Sequence, residues 1–207
     1  MLVSVVIPVF NRADQLAEAV DSVLAQTFRD FELIVVDDGS EIDLSVIKER
    51  VLASGHVWLE QPNAGVAAAR NRGVAVSKGE WVAFLDSDDR WLPQKLSEQL
   101  DYHEQHSDTS ISQTFERWIR HGRRVNQRLK HAMPDGEGFS SSLKICCISP
   151  SSVMLRRELF DEHRGFNEEF PVCEDYDLWL RITAKERVGL VKIPLIEKFG
   201  GHPDQLS

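Results

Sequence analysis

The sequence predicts an α/β protein in which a mostly parallel sheet carries helices on both faces. Apolar, β-branched runs alternate with segments of helical period at spacings of ~25 residues, which indicates right-handed strand–helix crossovers. Polar residues follow directly after three of the expected strands, in Pro8–Asn11, Asp37–Asp38 and Asp86–Asp88. Ligands bind to such sheets beyond the carboxyl ends of the strands. We therefore expect these three segments to meet at one ligand site.

Strands and helices alternate through the first half of the chain. Residues 2–10 form an almost continuous β-branched run, as expected of a central strand covered on both faces. Asn11 is expected to cap the next helix, whose apolar residues recur at helical spacing between positions 16 and 24. The remaining strands are expected at 31–36, 56–59 and 81–85, and the remaining helices at 44–51, 66–76 and 93–106.

The second half predicts a smaller, mixed extension of the sheet. Residues 126–145 contain Pro134, Gly136 and Gly138 and are expected to form a mobile loop near the site. A helix is expected to start at Glu174–Asp175, with Leu178, Trp179 and Ile182 on its apolar face. The other elements are expected as strands at 109–116, 117–125, 151–155 and 188–199 and a short helix at 156–163.

Composition narrows the classes of partner. A chain of 207 residues that is 42% hydrophobic fits one domain, and its formal charge of −9 argues against nucleic acid as the main partner. The basic run 117–130 could meet an anionic acceptor or a membrane surface, although a solvated basic loop is the favoured interpretation. Three cysteines, two of them the adjacent Cys146 and Cys147, fit no metal-ligand spacing and predict a reduced, cytoplasmic setting. Because the sequence starts with a strand pattern, no signal peptide is expected, and no apolar run approaches ~20 residues.

The acidic segment Asp86-Ser87-Asp88-Asp89 is the most distinctive stretch of the sequence. Carboxylates this close repel one another and raise each other's pKa, so the folded site needs a compensating charge. A divalent cation that bridges to a phosphate is the simplest compensation, because carboxylate oxygens suit Mg²⁺ or Mn²⁺. The alternative is a solvated turn in which Ser87 or Asp89 caps the next helix.

The sequence lacks the motifs of two other nucleotide-binding classes. A dinucleotide-binding enzyme needs a glycine-rich turn after the first strand, where this chain has Pro8-Val9-Phe10-Asn11-Arg12. No P-loop occurs either. A bound diphosphate would therefore have to be met by a metal ion and cationic side chains.

Four segments resemble the family 2 glycosyltransferases: VSVVIPVFNR (3–12), AVDSVLAQTFRDFELIVVDDGS (19–40), NAGVAAARNRG (63–73) and WVAFLDSDDRW (81–91). These are inverting enzymes of the Rossmann-like GT-A fold that use nucleotide-diphosphate sugars. The resemblance implies one domain over 1–207, with a nucleotide-sugar half at 1–107 and an acceptor half at 108–207. It also implies a divalent metal, Mn²⁺ or Mg²⁺, as cofactor.

The resemblance also implies roles for individual residues. Pro8 and Phe10 would line the base pocket, and Asp38, in preference to Asp37, would hold the uracil or ribose. Asp88 and His202 would bind the metal. The full nucleotide-binding set it implies is Pro8, Phe10, Asn11, Asp37, Asp38, Asn63, Arg70, Asp86, Ser87 and Ser207, the last at the diphosphate.

The same resemblance makes Asp175 the catalytic base and Glu174 its supporting residue. An acceptor hydroxyl must lose a proton as it attacks C1 of the sugar, and attack opposite the leaving group gives inversion. By themselves, acidic residues at a helix N-terminus are also explained by the helix dipole. Asp177 is expected to be structural.

The implied function is transfer of a sugar, from UDP by preference with dTDP and GDP open, to a glycan or lipid-linked acceptor. Expected partners are the nucleotide sugar and that acceptor, with no nucleic acid, and the expected location is the cytoplasm or the inner face of a membrane. Two rivals stay in view. A sugar-1-phosphate nucleotidyltransferase would want a glycine-rich basic loop after the first strand, and a non-catalytic binding module would be expected to lack Asp88 or Asp175.

Overall fold

The computed structural model describes residues 2–126 and 133–200. The strands are β1 (Val3–Val9), β2 (Phe31–Asp37), β3 (Val57–Glu60), β4 (Trp81–Phe84), β5 (Arg90–Trp91), β6 (Ile111–Arg120), β7 (Arg123–Val125), β8 (Met154–Arg156) and β9 (Gly189–Gly200). The helices are α1 (Ala13–Leu24), α2 (Ser45–Ala53), α3 (Val66–Val76), α4 (Lys95–Gln105), α5 (Phe139–Ser142), α6 (Arg157–Glu162) and α7 (Glu174–Thr183).

One sheet joins both halves of the chain in the order β3-β2-β1-β4-β8-β6-β9-β5, with β7 paired to β6. Strands β1 to β4 run parallel, and Val9 at the end of β1 lies opposite Asp37 at the end of β2, whereas the short β5 pairs antiparallel with β9. The second half adds antiparallel β8 beside β4, while β6 and β9 run parallel to each other. The predicted parallel sheet with a mixed extension is thus confirmed.

Helices cover both faces of the sheet, as the buried runs predict. Val5 and Ile7 of β1 belong to the apolar cluster that packs under α1 and α2. Val6, between them, points into a second cluster with residues of α3, α6 and α7. Because successive side chains of a strand face opposite sides, a central strand buried on both faces needs an unbroken apolar run.

Several local predictions are wrong. Asn11 does not cap α1: the N-cap position is Arg12, and the Asn11 side chain instead accepts a hydrogen bond from the Glu41 N–H at 2.8 Å. Neither Ser87 nor Asp89 caps the next helix, because α4 begins only at Lys95 and has no side-chain cap. Asn11 is held by a partner from elsewhere in the fold, whereas Ser87 and Asp89 lie several residues before the start of α4.

The second half differs in detail from its prediction. A 3₁₀ turn, Pro150–Ser152, replaces the start of the strand expected at 151–155, so only β8 remains extended. The expected strand at 117–125 is split by a turn at His121 and Gly122, both at positive φ, into the end of β6 and β7. The expected loop at 126–145 contains α5, and its residues 127–132 lie outside the described part of the chain.

Helix α7 begins where the sequence predicts and buries Leu178, Trp179 and Ile182. Asp177 is structural as expected, since it binds Arg181 one turn later at 2.6 Å. Cys146, Cys147 and Cys173 are free thiols. None of the helices within 2–126 and 133–200 combines the length and the apolar character needed to cross a bilayer.

Candidate active site

The ends of β1, β2 and β4 bring the polar segments of the sequence to one edge of the sheet. These strands are neighbours and parallel, so Phe10–Asn11, Asp37–Asp38 and Asp86–Asp88 all leave the sheet on the same side. The three segments therefore lie at one edge of the sheet, as expected, and the ligand site itself stays a prediction. Phe10 keeps 44% of its surface exposed there, whereas Pro8 is buried inside the strand.

Asp38 organises the loop that leads into α3. Its side chain is 4% exposed, and its two carboxylate oxygens accept hydrogen bonds from Gln61 Nε2 at 2.7 Å and from the backbone N–H groups of Ala64 and Gly65 at 2.9 Å each. Both N–H groups lie before Val66, the first residue of α3, so Asp38 fixes the loop that enters the helix and does not cap the helix itself. Three hydrogen-bond donors of the protein thus already bind the carboxylate oxygens of Asp38, which the family resemblance assigns to the nucleotide.

Asp37 is the more available member of the acidic pair. One of its oxygens accepts the Ser40 N–H at 2.9 Å and closes the turn after β2. That turn contains Gly39 at φ +80°, where a Cβ atom would lie 2.7 Å from the Asn63 backbone nitrogen. Only glycine allows the backbone at position 39 to come this close to Asn63. The close contact holds the exposed Asn63 beside Asp37 and Asp38.

We expect replacement by alanine to affect stability at Asp38 and nucleotide binding at Asp37. Asp38→Ala should lower the free energy of unfolding by about 2 kcal/mol or more, because hydrogen bonds to a charged group are lost. Asp37→Ala should leave stability within about 0.5 kcal/mol and weaken nucleotide binding. Urea unfolding and calorimetric titration with UDP measure both effects. A stable Asp38→Ala protein that no longer binds UDP would restore Asp38 as the residue that contacts the ligand.

Arg70 joins the two halves of the site. Its guanidinium is 4% exposed and donates to Asp86 Oδ1 at 2.7 Å and to Glu174 Oε1 at 2.6 Å, while it lies over the Phe166 ring at 5.1 Å. Burial lowers the pKa of Arg70, but Asp86 and Glu174 outweigh it and raise that pKa above its usual value. Burial conversely raises the pKa of Asp86, but Arg70, Lys198 and Arg12 together outweigh burial and lower that pKa below its usual value.

Each carboxylate of the acidic turn has a basic side chain beside it. Asp86 pairs with Arg70, Asp88 with Arg12 at 2.8 Å, and Asp89 with Lys198 at 3.5 Å. The sequence predicts a metal ion as the simplest compensation for these charges. In the fold, three cations from α3, the end of β1 and β9 supply compensation that the local sequence does not reveal.

Ser151 supports the acidic turn from behind, and no signal in the sequence singles it out. Its hydroxyl donates to Asp89 Oδ2 at 2.7 Å and accepts from the Asp86 N–H at 3.1 Å. Asp89 is 2% exposed, and its other oxygen accepts the Phe199 N–H at 3.0 Å. Burial raises the pKa of Asp89 to about 7, against the lowering effect of Lys198. Ser87 is buried within the same turn.

Asp175 lies in the first turn of α7, next to the Arg70 pair. Burial raises its pKa, Arg70 opposes this, and Glu174 adds to the increase. Its carboxylate accepts the Tyr176 N–H at 2.8 Å and lies 3.9 Å from the Cys146 sulfur. Burial, with the negative charge of Asp175, raises the pKa of Cys146 to about 12, so that thiol stays protonated at neutral pH.

The acidic turn offers two carboxylates of the kind that bind a divalent metal together with a phosphate group. Within residues 2–126 and 133–200, no three His, Cys, Asp or Glu side chains are grouped so that they could hold a metal. Asp86 and Asp88 are part-exposed carboxylates at the sheet edge, 23% and 14% accessible. Mg²⁺ and Mn²⁺ commonly use one or two carboxylates together with substrate phosphates and water. His202 and Ser207 lie outside the described residues.

Comparison with known proteins agrees with this geometry. The family model for glycosyl transferase family 2 matches residues 4–164. An uncharacterized glycosyltransferase of Rickettsia felis is 33% identical over 90% of this chain, which spans only 31% of that protein. The UDP-Glc:α-D-GlcNAc-diphosphoundecaprenol β-1,3-glucosyltransferase WfaP of Escherichia coli is 32% identical, with 89% of this chain and 71% of WfaP covered.

Solved structures show the same fold. TarS of Staphylococcus aureus, residues 1–349 with UDP-GlcNAc, superposes with a TM-score of 0.78 at 22% identity, covering 100% of this chain and 60% of that one. The mannosyltransferase PcManGT of Pyrobaculum calidifontis, with GDP-Man and Mn²⁺, gives a TM-score of 0.72 at 16% identity, covering 95% and 56%. The fold is therefore the GT-A fold of nucleotide-sugar transferases.

Proposed function

This chain belongs to glycosyl transferase family 2, and on that premise we propose that it is an inverting, metal-dependent glycosyltransferase. It moves a sugar from a nucleotide diphosphate, UDP by preference, to a hydroxyl of a glycan acceptor. Residues 1–107 bind the donor, and residues 108–207 supply the base and the acceptor side. UDP is supported by the name of the E. coli relative, whose donor is UDP-Glc, and by TarS, which was crystallised with UDP-GlcNAc.

The observation that carries this proposal is the position of Arg70 between Asp86 and Glu174. Arg70 and Asp86 belong to the parallel half, whereas Glu174 starts the helix that holds Asp175. The buried guanidinium thus fixes the acidic turn against the helix of the base. When both reacting groups are held in position, the activation free energy of the reaction is lowered by several kcal/mol.

Asp175 is the proposed base. The acceptor hydroxyl gives up its proton to this carboxylate as its oxygen attacks C1 of the donor sugar from the face opposite the diphosphate. A pKa above the usual aspartate value makes the ionised Asp175 carboxylate a stronger proton acceptor. Glu174 keeps its charge paired with Arg70 and orients the first turn of α7.

Asp88 is the proposed metal ligand, with Asp86 beside it and His202 as a further candidate. These residues would hold a divalent cation, which would supply positive charge to the leaving diphosphate. PcManGT, solved with GDP-Man and Mn²⁺, supports this choice of metal. Phe10, Asn11, Asp37 and Asn63 form the proposed nucleoside side of the site, with Asp38 holding their loop in place.

The proposed acceptor is a lipid-linked or cell-surface glycan. WfaP acts on a sugar carried by diphosphoundecaprenol, according to its name. The β6–β7 hairpin exposes Arg120, Arg123 and Arg124, which suit an anionic acceptor or a peripheral contact with an anionic membrane. A cytoplasmic location, at the inner face of the membrane, belongs to the same proposal.

The test is calorimetric binding of UDP, dTDP and GDP with and without Mn²⁺, on the wild type and on Asp88→Ala. We expect one nucleotide, UDP, to bind more tightly with Mn²⁺, and this gain to be lost in Asp88→Ala. Asp43→Ala, at an exposed aspartate outside the site, is the control and should behave as the wild type. UDP binding that ignores both Mn²⁺ and the Asp88 variant would remove the metal from the mechanism.

A further inference from the structure

Arg12 is the residue whose contact competes most directly with a metal ion. Its Nη1 donates to Asp88 Oδ2 at 2.8 Å, on the carboxylate proposed to bind the metal. A guanidinium and a divalent cation cannot occupy the same lone pairs of one carboxylate oxygen. A metal ion bound through Oδ2 would therefore displace Arg12, and one bound through Oδ1 would still repel the adjacent guanidinium.

The Arg12–Asp88 pair is also the one of the three that can open at low cost. Arg70 is 4% exposed and shared by two carboxylates, so its removal would unpair buried charges. Asp89 is 2% exposed and is held by Ser151 and the Phe199 backbone as well as by Lys198. Arg12 and Asp88 are both part-exposed, 17% and 14%, so water reaches both members of the pair, whereas Arg70 and Asp89 are each almost fully buried.

The position of Arg12 in the chain allows it to change partners. It occupies the N-cap position of α1, directly after the end of β1, and no side-chain bond caps the helix there. A rotation of its side chain therefore leaves the helix intact. The N-terminus of α1 and the acidic turn lie at the same edge of the sheet, where the diphosphate of a donor would be bound.

We propose that Arg12 is an exchange cation: it neutralises Asp88 in the empty site and passes to the diphosphate when metal and nucleotide bind together. The inference rests on the proposed function, since it assumes a metal at Asp88. The chain has no glycine-rich cradle for a diphosphate, so a mobile guanidinium supplies the charge such a cradle would provide. Exchange makes metal and nucleotide bind cooperatively, because the metal frees Arg12 for the diphosphate and the diphosphate draws Arg12 away from Asp88.

Manganese titrations of the intact protein test this exchange. Free Mn²⁺ is followed by its electron paramagnetic resonance signal, with and without UDP, for the wild type, Arg12→Met and Arg12→Lys. We expect Arg12→Met to bind Mn²⁺ alone about fivefold more tightly than the wild type, ~1 kcal/mol. The gain in Mn²⁺ affinity produced by UDP should be smaller in Arg12→Met, and Arg12→Lys should lie between the two proteins.

Arg90→Met is the matched control. Arg90 belongs to the same surface cavity as Asp88, but it pairs with Glu18 and lies over the Phe199 ring at 4.5 Å. Its replacement removes the same charge without touching Asp88, so Mn²⁺ affinity should change less than twofold. The exchange would be overturned if Arg12→Met bound Mn²⁺ with the affinity of the wild type or of Arg90→Met. In that case, UDP-dependent Mn²⁺ binding by the wild type would still support the metal site. Absence of Mn²⁺ binding to the wild type even with UDP would overturn both proposals.

Discussion

Asp175→Asn should lower the rate of sugar transfer by about 10²–10⁴-fold, because the amide cannot accept the proton of the acceptor hydroxyl. Affinity for UDP and Mn²⁺ should stay within about twofold of the wild type, since the amide keeps the size of the carboxylate. Transfer is measured by release of UDP in single-turnover reactions with saturating donor and acceptor. A variant that loses nucleotide binding together with turnover would point to a binding role for Asp175.

The pH dependence of the wild type provides a second measure of the same group. A base acts only when deprotonated, so kcat/KM should fall as the pH falls through the pKa of Asp175. Burial raises that pKa above 3.8, so the acid limb should lie at higher pH than for an ordinary aspartate. A raised carboxyl pKa also means stability is lost as the pH rises through it. Asp175→Asn should therefore be at least as stable as the wild type at neutral pH.

Arg70→Met should lower the free energy of unfolding by about 3–5 kcal/mol, the largest stability effect we expect in this chain. Methionine keeps the apolar contact with Phe166, so the loss arises from the unpaired carboxylates of Asp86 and Glu174. Transfer should be lost as well, because the acidic turn and α7 are no longer held together. Urea unfolding followed by circular dichroism measures the stability change.

Arg50→Met is a suitable control for that experiment. Arg50 pairs with Asp21 at the same distance of 2.7 Å, but the two side chains are 51% and 48% exposed. Exposed ion pairs contribute about 0–1 kcal/mol, so this variant should unfold close to the wild type. If Arg70→Met and Arg50→Met had equal effects, the proposed link between the two halves of the site would be wrong.

The edge of the sheet where the site forms could be predicted from sequence because it depends on local signals. Continuous apolar runs identify the strands, helical periods identify the crossovers, and parallel strands must end on the same side. The positions of Asp37, Asp86 and Asp88 follow from those rules. The start of α7 at Glu174 follows from its apolar stripe in the same way.

The partners of these residues could not be predicted, because they come from distant parts of the chain. Arg70 meets Glu174 across 104 positions, and Ser151 meets Asp89 across 62. Asn11, which was expected to cap α1, instead binds the backbone of Glu41, 30 positions away. Spacing along the chain carries no information about such contacts.

The sequence by itself determined the α/β architecture, the family and the acidic edge of the sheet, since hydrophobic period and strand direction are local properties. Only the tertiary structure decided how the carboxylates are used: Asp38 accepts three hydrogen bonds from the loop before α3, Asp37 is left more available, and Asp88 pairs with Arg12. The physical reason is that the behaviour of a carboxylate depends on burial and on the donors and charges within a few ångströms. The fold brings those neighbours together from β1, α3 and β9.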